Sequence, residues 1–431
     1  MRYKIFVIIL FSIASSQSLF HRFLGADSFS GSARSTAMGK THLLNSSGSN
    51  NVRYNPALLS DFDSNTFIDF QVKRFSSFER WSMPVRDSFD EVLTQADYVS
   101  NEFSKYLVSG GATLSFDIPF FGSLGMGFSY YPLTHFTYSY SEEVRGSYSA
   151  EDGEYASKDP IVGYQNLNII GVPFSSSIGI GFKLNIFGNI GSQIGASFNR
   201  ISPFTIEDEV NIDSIYTDLT NLSLLADINN RYKIDSNNFI TFSTQLNLST
   251  ASTIGLYYET DLLLKTNESN VSIDTTNGLF QYWDGTKYLP HGFNYLKPSV
   301  IAFSWGFNPP ATQPLLVNFE YNKIFFNNHL SLKDVNKWKF GFEYLTQLGT
   351  PVRGGLVYST SSLNTLPSET IFTFGTGKKI NNITIDISGT YQLYEFKYPD
   401  LFEVEGDVRP DYYDTIRDSQ MNLFLAFSYF F

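Results

Sequence analysis

Met421-Asn-Leu-Phe-Leu-Ala-Phe-Ser-Tyr-Phe-Phe431 ends the chain, and its side chains divide by parity: Met421, Leu423, Leu425, Phe427, Tyr429 and Phe431 share one apolar face, opposite Asn422, Ala426 and Ser428. Successive side chains of a strand point to opposite faces, so a repeat of two marks a β-strand whose faces meet different surroundings. The same parity recurs upstream. Val317, Phe319 and Tyr321 interleave with Asn318 and Glu320, and Trp338, Phe340, Phe342 and Tyr344 with Lys339, Gly341 and Glu343. Ile383, Ile385, Ile387, Gly389, Tyr391 and Leu393 alternate with Thr384, Asp386, Ser388, Thr390 and Gln392; Ile240, Phe242, Thr244, Leu246 and Leu248 alternate with Thr241, Ser243, Gln245 and Asn247. A soluble sandwich alternates in this way too, so the links between strands must separate the two cases.

Short turn signals rich in Gly, Pro, Asn or Asp fall at Pro119 to Ser123, Asn185 to Asn189, Asp235 to Asn238, Asn308 to Gln313, Gln347 to Pro351 and Lys378 to Asn382. Between them run longer polar or acidic links: Arg74 to Val108, Ser141 to Gln165, Thr205 to Leu222, Lys265 to Lys297, Ile324 to Asn336, Thr360 to Thr370 and Phe396 to Asp418. Long and short strictly alternate. Six short and seven long links imply about fourteen strands, with both chain ends at the short-turn side. Short turns at one end and long loops at the other are the mark of an all-β transmembrane antiparallel barrel.

Residues 1–18 read as a secretory leader: Arg2 and Lys4 are basic, Ile5 to Ala14 almost wholly apolar, Ser15 to Ser18 small or polar, with cleavage expected after Ser16 or Ser18. Beyond Ala14 no run approaches the roughly 18 apolar residues of a membrane helix, so a mature chain that crosses a membrane must do so as a closed barrel. The mean hydropathy of -0.13 fits, because lipid-facing and lumen-facing residues average out along each strand. The 41 Phe, 27 Tyr and 4 Trp, 17% of the chain, would supply aromatic girdles at two membrane interfaces. Coupled to the leader, the terminal strand resembles the assembly signal read by the outer-membrane insertion machinery, with Phe427, Tyr429 and Phe431 as its residues. The expected location is the outer membrane of a Gram-negative-type bacterium. Its expected partners there are lipid, lipopolysaccharide and the barrel assembly machinery, and the expected state is a monomer. A net charge of -12 argues against nucleic acid, whose phosphates need clustered Lys and Arg. The absence of cysteine excludes a disulfide scaffold, a thiol nucleophile, a Cys-based zinc site and a lipid-modified N-terminal Cys.

Leu19 to Phe62 precede the first clear strand, Thr66 to Val72, and carry no clean period. A lumen of fourteen strands is wide enough to need filling, so the predicted domains are a leader (1–18), an N-terminal plug inside the lumen (19–63) and the barrel (64–431). Within the first long link, Phe89, Val92, Leu93, Ala96, Val99, Phe103 and Leu107 fall near helical spacing, which predicts an outer-loop helix over Ser88 to Leu107.

The segment Gly31-Ser-Ala-Arg-Ser-Thr-Ala-Met-Gly39, followed by Asn55-Pro56-Ala57-Leu58, resembles the plug of FadL/TodX-type transporters of long-chain fatty acids and hydrocarbons, and equally that of the related PorV-type barrels. Tyr131-Pro-Leu-Thr134 is similar to the aromatic-Pro-Gly-Leu-x-Thr stretch of their third strand, and Trp338-Lys-Phe-Gly-Phe-Glu-Tyr344 with Arg353-Gly-Gly-Leu356 to their late hairpin. The chain departs at three points: Leu133 follows Pro132 without the usual Gly, Lys40 replaces a common Gly, and Ser49-Asn50 stand where an acidic pair is usual. The resemblance implies a fourteen-stranded plugged barrel for passive uptake of hydrophobic small molecules. It also implies a gate at the plug turn Asn55, Pro56 and Ala57, and a kink at Tyr131, Pro132, Leu133 and Thr134 through which ligand leaves sideways. Proline cannot donate a ladder hydrogen bond, so Pro132 suits such an opening, or simply the end of the third strand. The alternative is a PorV-type partner or anchor in protein secretion.

Enzymatic readings find little support. The histidines, His21, His42, His135, His291 and His329, are far apart, and His135 near Thr137 and Ser139 matches no Ser-His hydrolase motif. The acidic clusters Glu142-Glu143, Glu151-Asp152-Glu154, Glu207-Asp208-Glu209 and Glu403 to Asp418 lack calcium-loop spacing and read as solvated outer loops. Gly125-Met-Gly127, Gly179-Ile-Gly181 and Gly375-Thr-Gly377 lie inside alternating strands, where Gly marks close packing or bends rather than a phosphate cradle. No catalytic residues, metal ligands or cofactor are assigned.

Overall fold

A computed structural model of the chain describes residues 19–27, 29, 31–44, 46–61, 66–118, 122–145, 161–187, 190–215, 228–265, 282–283, 288–289, 294–309, 314–327, 329, 332–402 and 413–431. The leader, Glu151-Asp152-Glu154, His291, the boundary between 63 and 64 and most of Glu403 to Asp418 lie outside the described residues.

Fourteen antiparallel strands close a barrel. They are β1 (Phe67–Arg86), β2 (Val92–Ile118), β3 (Gly122–Pro132), β4 (Phe174–Phe187), β5 (Ile190–Ile201), β6 (Asn237–Asn247) and β7 (Ser252–Glu259). The second half comprises β8 (Ser299–Phe307), β9 (Leu315–Phe325), β10 (Val335–Leu345), β11 (Pro351–Ser359), β12 (Glu369–Ile380), β13 (Ile383–Tyr398) and β14 (Asp414–Phe430). Each strand pairs with its neighbours in the chain, and β14 closes on β1 from Phe67 opposite Phe430 to Ser82 opposite Thr415. Closure pairs the amides of every strand, the condition for a sheet to sit in lipid.

Parity becomes topography. Ile68, Phe70, Phe128, Ile178, Phe242, Phe303, Trp305, Phe340, Phe372, Phe374, Phe427 and Tyr429 are exposed on the outside, while Asp69, Gln71, Asn318, Glu320, Lys339, Asp386 and Asn422 are buried inside. So broad a band of bare aromatic and aliphatic side chains suits a hydrocarbon surround and not water. Among the described residues no helix is long and apolar enough to cross a membrane.

Several boundaries differ from the sequence expectation. Ser88 to Leu107 is not helical: β2 runs through it, pairing with β1 from Phe67–Thr113 out to Arg86–Val92. Cross-strand pairing with a partner already in the sheet overrides a helical spacing that seven apolar residues meet by coincidence. The link Arg74 to Val108 therefore shrinks to residues 87–91, and the first strand extends from the expected Thr66 to Val72 out to Arg86. Asp235 to Asn238 is not a short turn of the barrel. It joins Ile228–Ile234 to β6 at the long-loop end, and the short turn of this hairpin is 248–251, closed by Leu248 N–H on the Ser252 carbonyl at 2.9 Å. Long links also hold strands of their own: in two of them Tyr138–Arg145, Ile161–Ile170, Phe204–Ser214 and Ile228–Ile234 form a four-stranded sheet beyond the long-loop end of the barrel, and in a third Leu262–Lys265 pairs with Asn294–Lys297.

Candidate functional site in the barrel lumen

Residues 19–61 form three one-turn helices, α1 (His21–Leu24), α2 (Ala33–Ala37) and α3 (Asn51–Tyr54), then a 3-10 turn, Pro56–Asp61. Nearly all of these side chains are buried, and their polar contacts run both within the segment and to inward-facing wall residues. Ser32 caps α2, accepting from Ser35 N–H at 3.2 Å. Gly39 then turns through φ 67°, and a Cβ there would strike the Phe340 carbonyl, so only glycine fits. Lys40, which stands where the resembling proteins have Gly, also sits in the left-handed region at φ 55°.

The wall is thinned to admit this segment. A Cβ at Gly125 would collide with the Leu59 carbonyl, at Gly181 with the Pro56 carbonyl, at Gly195 with Pro56 and Ala57, at Gly341 with Met38 and at Gly375 with Ala37. Charge then fixes it. Arg34 is bidentate on Glu343 (2.9 and 2.6 Å), and Arg353 joins Glu343 (2.6 Å) to Asp386 (2.5 Å). Glu320 accepts the backbone N–H groups of His42 and Leu43 at 2.9 and 3.1 Å and the Lys339 ammonium at 2.6 Å. Arg53 is bidentate on Glu259 (2.9 and 3.1 Å), which also receives Lys297 (2.9 Å) and the Tyr257 hydroxyl (3.0 Å). Ser49-Asn50 meets the wall instead of supplying acid to it: Ser49 N–H donates to Asp69 at 3.1 Å and the Asn50 amide to Gln71 at 3.1 Å. An acidic pair there would face Asp69 unpaired.

Above these clusters lies a cavity of about 320 Å³, bounded below by Gly25, Ala26, Phe29, His42 and Arg53 and reaching Phe326, Thr360 and Leu366 in the long loops. Phe20, Leu24, Leu133, Tyr295, Val300, Ile324 and Val357 give it an apolar lining. Six cations, Lys40, Arg53, Lys73, Lys297, Lys337 and Lys339, line it with only two carboxylates, Glu259 and Glu369.

Two of the sequence-predicted sites come together beside this cavity. Pro132 is the last residue of β3. The ladder to β2 stops at Gly110–Tyr130, although β2 continues outward to Val92, whereas the ladder to β4 persists to Pro132–Phe174. Past that point the chain turns inward: Tyr131, Leu133, Thr134 and Phe136 are buried, and Thr134–His135 pairs with Ala26–Asp27 of the N-terminal segment. The Arg53 guanidinium lies 5.4 Å from the centre of the Tyr131 ring and Tyr54 lies tilted against that ring at 6.5 Å, immediately before Asn55-Pro56-Ala57. Asn55 donates its amide to the Leu43 carbonyl, and Ala57 N–H donates to Ser243 at 2.9 Å. Across the gap between β2 and the departing chain, Lys105 Nζ donates to Thr137 Oγ1 at 2.7 Å.

The terminal aromatics lie elsewhere. Phe427, Tyr429 and Phe431 are exposed on the outer face, with Phe431 N–H on the Thr66 carbonyl at 3.0 Å. His135 packs on Phe75 at 5.0 Å, while the hydroxyls of Thr137 and Ser139 engage Lys105 and Asn168. Among the described residues no group of three or more His, Asp or Glu is placed to hold a metal ion.

No family model matches the chain, and no curated protein matches it. Solved structures do. A Pseudomonas aeruginosa FadL homologue superposes with a TM-score of 0.58 at 12% identity, over 94% of this chain and 99% of that one. The fold is that of the FadL-type channels. The toluene transporter TodX of P. putida superposes at 0.54 (12% identity, 93% and 99% covered), and the toluene transporter TbuX of Ralstonia pickettii at 0.51 (14% identity, 94% and 98% covered). Against this FadL-type frame, the residues that sequence reasoning missed are the charged ones that hold the N-terminal segment. Glu320, Lys339 and Glu343 did appear as inward members of alternating strands, and charge at a position facing a filled lumen was the available signal.

Proposed function

We propose that this chain is an outer-membrane channel of a Gram-negative-type bacterium for passive uptake of hydrophobic small molecules, and that long-chain fatty acids are the class that suits it. The observation that carries the reading is the cavity: its volume of about 320 Å³ lies at the small end of ligand sites, roughly 300–1,000 Å³. An apolar tail gains about 25 cal/mol for each Å² it buries against such a lining. A carboxylate head could take charge-assisted hydrogen bonds from the lysine and arginine side chains of the lining. A neutral hydrocarbon would use the first feature and leave the second idle. The likeness to the toluene transporters TodX and TbuX supports uptake of hydrophobic compounds as the general activity.

In this reading residues 19–61 are the plug and Asn55, Pro56 and Ala57 its gate. The ligand leaves sideways at Tyr131, Pro132, Leu133 and Thr134, two of which, Leu133 and Thr134, line the cavity. Contact of Arg53 and Tyr54 with Tyr131 gives the gate turn a handle on the exit. The test is mass spectrometry of lipophilic molecules that copurify with detergent-extracted protein. Enriched fatty acids are expected. Neutral hydrocarbons alone would overturn the head-group assignment, and a stoichiometric secreted protein in their place would favour a secretion partner.

A further inference from the structure

Glu79 and Asp418 are directly opposite each other on β1 and β14, both facing inward and both fully buried. Glu79 Oε1 accepts from the Trp81 indole and from the Tyr138 hydroxyl at 2.8 Å. Asp418 accepts from Ser77 and Tyr394 at 2.6 Å and from Gln420 at 3.0 Å. Every one of these donors is neutral. The neighbouring arginines, Arg80 and Arg417, point outward and pair with Asp97 and Glu395. Two like charges opposite each other in a sheet repel, and burial raises the penalty, so such a pair calls for a cation. Glu79 Oε2 is buried with no hydrogen-bond partner among the described residues. Leu19, itself 1% exposed, packs in the same buried cluster as Trp81, Tyr138 and Tyr394, and its backbone N–H is among the groups that meet the Glu79 carboxylate.

We propose that the missing cation is the α-ammonium of Leu19, created when the leader is removed. Ser16 and Ser18 are small residues placed as a leader peptidase requires for cleavage between Ser18 and Leu19. Water adds across that peptide bond, leaving a carboxylate on Ser18 and on Leu19 an amine that is protonated near neutral pH. One buried N–H becomes three charged donors beside two carboxylates. Processing then docks the plug: Phe20 and His21, the next two residues, line the cavity, so its upper lining is set by a charge that the uncleaved precursor lacks. The inference rests on export of the chain and not on the identity of its ligand.

The test has two readouts on protein extracted from native membranes. N-terminal sequencing should give Leu19 as the first residue. Acylation of the α-amine at about pH 8, followed on the N-terminal peptide, should be slower in the folded barrel than in urea by roughly tenfold or more, since two carboxylates hold the amine protonated. The double variant Glu79→Gln with Asp418→Asn should label at the unfolded rate while still migrating as a folded barrel. If it does not insert, Glu79→Gln alone supplies the same comparison. A first residue other than Leu19, equal labelling of folded and unfolded wild type, or protection that persists in a folded variant would each overturn the proposal. A chain that still begins at Met1 would remove export as well, so the two failures are distinguishable.

Discussion

The two halves of the lumen are built differently. Along the seam between the N-terminal segment and the wall, glycines bring backbones into contact, and Glu259, Glu320, Glu343 and Asp386 each have a basic partner at 2.9 Å or less. At the loop end a cavity remains, cations outnumber acids along it, and the sheet above holds an acid, Glu142, whose charged neighbours are Asp400 and Asp414. The seam is therefore closely packed and charge-paired, and the space above it is open. A molecule in the cavity faces the packed seam straight ahead. In the proposed reading it leaves at the β2–β3 gap, where the ladder has ended and the Lys105–Thr137 hydrogen bond spans the opening.

Breaking the floor should have the largest effect. Gly195→Val sets side-chain atoms against Pro56 and Ala57, whose backbone cannot yield as a flexible side chain would. Overpacking of this kind costs about 1–3 kcal/mol or more, enough to displace the plug. Planar-bilayer recordings should show open-pore conductance, and protease should reach the N-terminal segment. A silent, protease-resistant variant would mean that the seam is looser than described.

Glu259→Gln comes next. It leaves Arg53 and Lys297 buried without their shared counter-ion, and breaking a buried pair costs about 3–5 kcal/mol. Urea unfolding followed by gel mobility should show the loss. A change under about 1 kcal/mol would mean that the floor is not held by charge.

In the upper half the sign reverses. Burial first, and then Asp400, push the Glu142 carboxyl up to about 9. Folding thus favours its protonated form, so its contribution is fully present below the ordinary range near 4.5 and declines as pH rises toward 9. Glu142→Gln should stabilise the protein at pH 7 by about 1 kcal/mol, a value discounted because the side chain keeps some exposure, and should change nothing at about pH 4. Loss of stability at pH 7 would show that the carboxylate has a cation partner.

Lys105→Met should have the smallest effect on stability, under about 1 kcal/mol for one hydrogen bond, while raising the rate of fatty-acid uptake. Slower uptake would place Lys105 among the groups that bind ligand and not across its exit.

The barrel was legible because parity is local: Val317 to Tyr321 alternates within five residues, and no distant partner is needed to read it. The reading failed where locality failed. Residues 92–107 carry a helical spacing, and only pairing with β1 shows them as strand. Asp235 to Asn238 has turn composition, but whether it ends a barrel strand depends on the loop sheet that Ile228–Ile234 joins. For the site, the motif residues Asn55-Pro56-Ala57 and Tyr131 to Thr134 could be picked out, whereas their proximity could not. Arg53 finds Glu259 across 206 positions and Arg34 finds Glu343 across 309, separations over which sequence pattern carries no pairing information.

The proposed side exit can be closed by design. The chain has no cysteine, so Lys105→Cys with Thr137→Cys introduces the only two thiols, at positions whose side chains already touch. Uptake of a labelled long-chain fatty acid should be measured with this pair cross-linked by a short thiol-reactive, reducible reagent and again after reduction. Uptake should stop when the gap is bridged and return when the bridge is cut; uptake that continues at the same rate through a bridged gap would contradict exit through the wall.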